Sequence, residues 1–246
     1  MIQDILTVTW KEIKELLFQR GRFRGGMVGM LVFVGVFGVM MPLQSGPDWV
    51  DSPIGLVYWG WIPFLLVSSV VADSFAGERE RHTLETLLST RLSDQAILFG
   101  KIASALAYGW GLTLFSAFLS VITVNIAFAN AEGRLLLYPL GTAAAIILLS
   151  FLVSGLSAGL GVIVSLRAAT VRQAQQTFSI AFFILFIPLF LIPALPEELK
   201  MKIFILASEI NVNTLIIGIM IVLFIVDLAV AWVAIARFKR ARLILD

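Results

Sequence analysis

Gly155-Leu-Ser-Ala-Gly159 has the outline of a catalytic motif, a serine between glycines at the GxSxG spacing of many serine nucleophiles. A serine hydroxyl attacks only when a base within hydrogen-bond reach takes its proton. The single histidine, His82, stands in a charged stretch remote in sequence, and no lysine sits in the core of an apolar span to replace it. Small residues four apart also let helices approach closely, and Gly155/Gly159, Ser154/Ala158 and Ser157/Gly161 fit that use better. Gly155 and Gly159 are therefore expected to pack a helix pair. With no cysteine and one histidine, disulfides and the usual zinc and iron–sulfur ligand sets are excluded. Met40-Met41 point to different helix faces without a Cys or His beside them, so no copper site is expected. Gly100-Lys101 has Gln95 where a phosphate-binding loop needs its first glycine, and Ile102 where it needs Ser or Thr. No catalytic, metal or cofactor site is expected on this chain.

One acid stands deep in an apolar run. A charged Asp227 there would cost about 2.5–3.5 kcal/mol on insertion scales, so it should face the protein interior or a wet cavity. A hydrogen bond to a neighbouring helix is one reading and a substrate or proton role the other.

The elements around these residues follow from composition. Hydrophobic residues make up 59% of the 246 and charged ones 14%, against about a quarter charged in soluble domains. The chain reads as an all-α polytopic membrane protein forming one transmembrane domain. Spans are expected over about 27–41, 54–71, 96–129, 135–166, 178–195 and 214–236. The third and fourth exceed the ~20 residues that cross a bilayer, and Ser93 is a plausible N-cap for the third. Pro188 and Pro193 should kink or break the fifth. Pro196 starts a helix whose later part, to Ile210, is amphipathic and could be re-entrant or on the surface. Tyr58, Trp59 and Trp61 open the second span, and such rings favour the membrane–water boundary. Residues 1–19 carry Asp4, Lys11, Glu12, Lys14 and Glu15 without the continuous apolar core of a cleaved leader. Ile2, Ile5, Leu6, Trp10, Ile13, Leu16 and Leu17 share one helical face, the pattern of a helix lying in the headgroup plane.

Between the second and third spans lies a charged block, Asp73 to Lys101. As a continuous helix it would pair Glu78 with Arg81 and His82 and Arg81 with Glu85, with Leu84, Leu87 and Leu88 turned inward. Fifteen of the 18 Lys and Arg fall on the side shared by this block, both termini and the link Arg167–Gln176. That bias places all four in the cytoplasm, with six spans in the plasma (inner) membrane.

The run Asp73-x-Phe-Ala-Gly-Glu-Arg-Glu-Arg-x-Thr-Leu-Glu-x-Leu-Leu-Ser, with Leu92-Ser93 and Gly100-Lys101 after it, resembles the signature of type-2 ATP-binding-cassette (ABC) transporter permeases. Thr90-Arg91 stands where such families usually carry a proline. The resemblance spans essentially the whole chain. It implies a membrane subunit of an exporter with an N-terminal interfacial helix and a cytoplasmic coupling helix within 75–92. Glu78, Arg79, Glu80, Arg81, Thr83 and Glu85 would be the coupling segment, and Arg167 and Arg172 a lesser contact. It further implies two ABC ATPase subunits that use ATP and Mg, and a second membrane subunit, identical or homologous. The bilayer is the remaining partner, with no nucleic acid. Alternating access would run along a path lined by spans two and five, where Phe64, Phe182, Phe183 and Phe186 lean toward a hydrophobic or amphipathic substrate. The rival reading is a non-transporting anchor or signalling subunit that docks a cytoplasmic partner through the same block.

Overall fold

The computed structural model describes residues 1–18, 23–52, 54–83, 86, 89–191, 194–202 and 212–238, all helix, turn or irregular chain without strands. In chain order the helices are α1 (Ile2–Phe18), α2 (Phe23–Gly35), a π-helical turn (Val36–Met40), α3 (Met41–Ser45), α4 (Asp48–Asp51), α5 (Ile54–Ser74), α6 (Ala76–Glu80), α7 (Asp94–Glu132), α8 (Leu140–Arg167), α9 (Val171–Leu191) and α10 (Val212–Arg237). Five helical stretches among the described residues are long and apolar enough to cross a membrane: Val28–Ser45, Gly55–Glu80, Asp94–Glu132, Leu140–Arg167 and Asn213–Arg237. The expected fifth span corresponds to α9. It begins with the polar turns Val171–Gln176, and its apolar part to Leu191 is only about 20 Å long by helical rise. The helix continues through Pro188 rather than breaking there. Pro193 and 203–211 lie outside the described residues.

Helices α5 and α8 form the central pair, with α7, α9 and α10 against them. Small residues make this possible. Gly109 and Gly161 have valine side chains of α5 where a Cβ would otherwise project, Val67 and Val71 respectively. Buried Ser157 donates to the Phe64 carbonyl at 3.1 Å, using the backbone of α5 as its partner. The 39-residue α7 is capped by Ser93, whose Oγ accepts from Ala96 N at 3.2 Å, and it ends at Gly133 in the left-handed conformation. One half of α7 carries α1 and the other carries the first span.

The first span extends past Pro42 by a local device. The Met41 amide bonds back five residues to Val36 O. Pro42 has no N–H for the Gly38 carbonyl one turn back, and Thr123 of α7 donates to that carbonyl instead, at 2.8 Å. This end of the molecule is closed by aromatic rings. Trp49 is buried in α4 and stacks on Tyr58 at 5.2 Å. Trp59 is fully buried and donates Nε1–H to Tyr138 Oη at 3.2 Å, and that oxygen lies 3.1 Å from Ser120 Oγ. With its N–H satisfied inside the protein, the Trp59 ring is core and does not face the headgroups itself. Leu135–Pro139 is irregular rather than helical. Asn125 holds it by a two-way amide pair with the Leu136 backbone, at 2.6 and 2.9 Å, and Arg134 pairs with Asp51 beside it.

Candidate functional site

At the opposite end the chain leaves α5 at Ser74, turns at Phe75 and enters the five-residue α6. Ser165 of α8 makes this turn possible. Its Oγ accepts from the amides of Phe75 and Ala76, at 3.1 and 3.0 Å, and donates to the Ala72 carbonyl at 3.2 Å. One hydroxyl thus serves three backbone groups that the break in the helix leaves open. Gly77 is required because Asp73 occupies the space of a Cβ. From there Asp73 reaches Arg81 at 3.3 Å. α6 ends at Glu80, and His82 takes a left-handed φ of 55°. The expected continuous helix through Glu85 is therefore corrected: the chain reverses at Arg81–His82, and Glu78 finds its partners elsewhere. Glu85, Leu84, Leu87 and Leu88 lie outside the described residues.

Glu78 is 5% exposed. Its Oε1 accepts from Lys101 Nζ at 3.0 Å, and Lys11 stands 3.6 Å away. Lys101, 2% exposed, also donates to Glu12 Oε1 at 3.0 Å and to the Ser74 carbonyl at 2.9 Å, with the Phe75 ring 5.1 Å away. A lysine has three N–H donors, and all three are used, each on a different element: α1, the end of α5, and α6. Burial alone would raise Glu12, but Lys101 and Lys11 outweigh it and hold its carboxyl below the ordinary range. Lys11 shows the converse: burial would lower it, and Glu12, Glu78 and Glu15 hold it above the ordinary lysine value. The neighbouring Gly100 lets α1 come close enough for this network. A Cβ there would lie 2.6 Å from Val8 Cβ.

Arg79 and Glu80 divide between two helix ends. Arg79 donates to the carbonyls of Ala168 at 2.6 Å and Leu166 at 3.1 Å, at the C-terminus of α8. Glu80 accepts from Val171 N at 3.0 Å, the first residue of α9. Cation at a C-terminus and anion at an N-terminus is the pairing the helix dipoles favour. The α9 start has its own cap, since Thr170 Oγ1 accepts from Gln173 N at 3.1 Å while Gln173 reaches back to Ala169 N at 2.9 Å. The second link is thus two helix ends joined by three residues, and it sits against the first. Arg167 and Arg172 are exposed beside it, and Glu80, Arg81, His82 and Thr83 form an exposed tip.

The remaining sequence candidates fall elsewhere. Phe64 is buried with Phe178 and Phe182, at ring separations of 4.9 and 5.7 Å, while the Phe186 side chain lies outside the described ones. Gly155 faces Asp227 of α10, whose carboxyl is 3.5 Å from where a Cβ would sit, and Gly159 faces Val230. Among the described residues no group of three or more His, Cys, Asp or Glu could hold a metal. Sequence reasoning missed Glu12, Lys101 and Ser165. A lysine inside the start of a long apolar run, needing a buried anion, was the signal available for Lys101.

The model of ABC-2 family transporter proteins matches residues 62–217, which contain this junction from the second span onward. The chain belongs to that family. As an ABC-2 family member it is a multi-pass membrane protein of the ABC permease type. It is 30% identical over 143 residues to the ABC transporter permease protein NatB of Bacillus subtilis (strain 168). That similarity covers 53% of this chain and 36% of NatB, so the chain spans about a third of its relative's length.

Proposed function

We propose that this permease is the membrane-spanning half of an ATP-driven exporter and that the α6 junction is where a separate ATPase subunit delivers its stroke. One observation carries the reading: α6 with its C-cap Arg81 is bonded to the ends of α5, α8 and α9, to the N-terminal part of α7 and to α1. A push on its exposed tip would reach five elements without passing through solvent. Glu78 and Arg79 then act inside the joint as transmitters. The surface offered to an ATPase is Glu80–Thr83 with Arg167 and Arg172 alongside. ATP and Mg belong to that partner, two of which would pair with two membrane subunits. Closure of the ATPases would move α5 and α9 and thereby the aromatic contact of Phe64 and Phe182, the reading under which these rings border the substrate path. Gly155 and Gly159 let α10 lie directly on α8, and Asp227 faces that seam. Both chain ends share the cytoplasmic side with the junction.

The test is co-purification with the separate ATPase, followed by ATP hydrolysis and transport in vesicles. Arg167→Glu combined with Arg172→Glu reverses the charge of two exposed side chains alongside the tip. Loss of the complex and of coupled hydrolysis, at an unchanged thermal midpoint of the permease alone, is expected. A variant that still assembles and transports at the wild-type rate would overturn the assignment.

A further inference from the structure

An apolar crevice of about 320 Å3 opens between α1, α2 and α7, with Ile13 and Leu16, Met30, and Tyr108, Gly111 and Phe115 among its lining residues. Its volume falls at the lower end of the range for small-molecule sites, ~300–1,000 Å3. The space is open rather than collapsed: nothing lies within 4 Å of the position a Cβ would take at Gly111. Beside a span, an apolar void that stays empty forfeits dispersion contacts on one side.

The helix that walls this crevice has a second apolar stripe, and it is bare. Val8 is buried against α7, whereas Ile2, Leu6 and Trp10 are 73, 62 and 68% exposed. A helix with that pattern seats its apolar face at the boundary of headgroups and acyl chains. Lys14, one turn after Trp10, is exposed and has no ion pair among the described residues. The sequence that follows carries Arg20, Arg22 and Arg24, with no Asp or Glu between Glu15 and Asp48. Greasy walls with an exposed, unpaired lysine on the same helix point to one ligand chemistry: a long apolar chain ending in an anion.

We infer that the α1–α2–α7 crevice holds an acyl chain of an anionic phospholipid, with the phosphate on the Lys14 flank of α1. The site is independent of the ATPase reading and uses none of the α6 residues. It gives α1 a second attachment to the spans, by lipid as well as by Lys101.

The experiment reconstitutes the full chain in vesicles of phosphatidylethanolamine and phosphatidylglycerol, 3:1, as an experimental choice, doped with a phosphatidylglycerol bearing a photoactivatable acyl chain. Labelled peptides are then mapped. The expected result is labelling concentrated on the peptides containing Ile13–Leu16 and Ala107–Phe115, several-fold weaker with the phosphatidylcholine analogue. Gly111→Leu, which fills open space, should bring labelling there to the background of the other lipid-facing helices. Lys14→Glu should remove the headgroup preference and leave the chain labelling. Labelling spread evenly over the lipid-facing surface, indifferent to Gly111→Leu or equal for both headgroups, would overturn the site. Native mass spectrometry of the wild-type protein in mild detergent decides independently of any variant: retained phosphatidylglycerol supports the site and its absence refutes it.

Discussion

The two ends of the helix bundle solve the same problem with different chemistry. Each must close off helix termini and short connections. At the end formed by α4, the start of α5 and Leu135–Pro139, closure in the interior is by stacked rings and neutral hydrogen bonds, Trp49 on Tyr58 and Trp59 to Tyr138, with one exposed ion pair, Arg134–Asp51, at the rim. At the α6 end it is by buried charge, Lys101 between Glu12 and Glu78, and by Arg79 and Glu80 on helix ends. Ring packing is short-ranged and bound to one geometry. A charge network tolerates exchange of partners, because any cation can meet any carboxylate nearby. The stiff end suits an anchor and the ionic end suits a joint that moves.

The contrast breaks most sharply at Lys101. Lys101→Met leaves Glu12 and Glu78 with the half-exposed Lys11 alone and should destabilise the solubilised protein by up to about 3–5 kcal/mol, the usual penalty for breaking a buried pair. Adding Glu12→Gln and Glu78→Gln should recover most of it, and a thermal midpoint series that shows no recovery would remove the network from the account. Arg79→Ala comes next, at about 1.5–3 kcal/mol for charge-assisted hydrogen bonds to two carbonyls, and the loss should shrink as salt rises. Trp59→Phe, at the other end, should lose about 1–2 kcal/mol through its hydrogen bond and part of its ring. That loss should be the same at low and high salt, and a salt-dependent one would erase the distinction between the ends. The smallest effect is titration of Glu12. Its folded carboxyl is held low, so its contribution is present at neutral pH and lost as pH falls through the folded value, below the ordinary carboxylate range. The midpoint of wild type should therefore drop on acidification more than that of Glu12→Gln, and parallel curves would show that Glu12 adds nothing.

Much of this was readable from the chain, and the exceptions have physical causes. An all-helical chain with several helices long and apolar enough to span followed from hydropathy, because a bilayer demands continuous apolar length. The Ser93 cap followed from local hydrogen bonding. The charged block was identifiable as a unit, but its helical pairing was misread, since steps of three and four assume an unbroken helix. The break at Phe75 depends on Ser165, ninety residues away, and the turn at His82 on a backbone angle that no spacing announces. The partner of Glu78 was hidden for the same reason: Lys101 is far in sequence and enters from another helix. The burial of Trp59 was not legible because ring chemistry is the same at a headgroup and in a core, and its partner Tyr138 is far in sequence. Thr170-x-x-Gln173, by contrast, is a capping pattern that a closer reading of the link could have recognised.

Lys11 stands 3.3 Å from Glu12 and 3.6 Å from Glu78, the same two carboxylates that Lys101 holds. Two cations therefore share two anions, one cation fixed in α7 and the other riding on α1. If α1 slides or rolls against α7, either carboxylate can change hands before it is released. Such an arrangement works as a slipping clutch would, since each carboxylate has a second lysine within 4 Å to take it over.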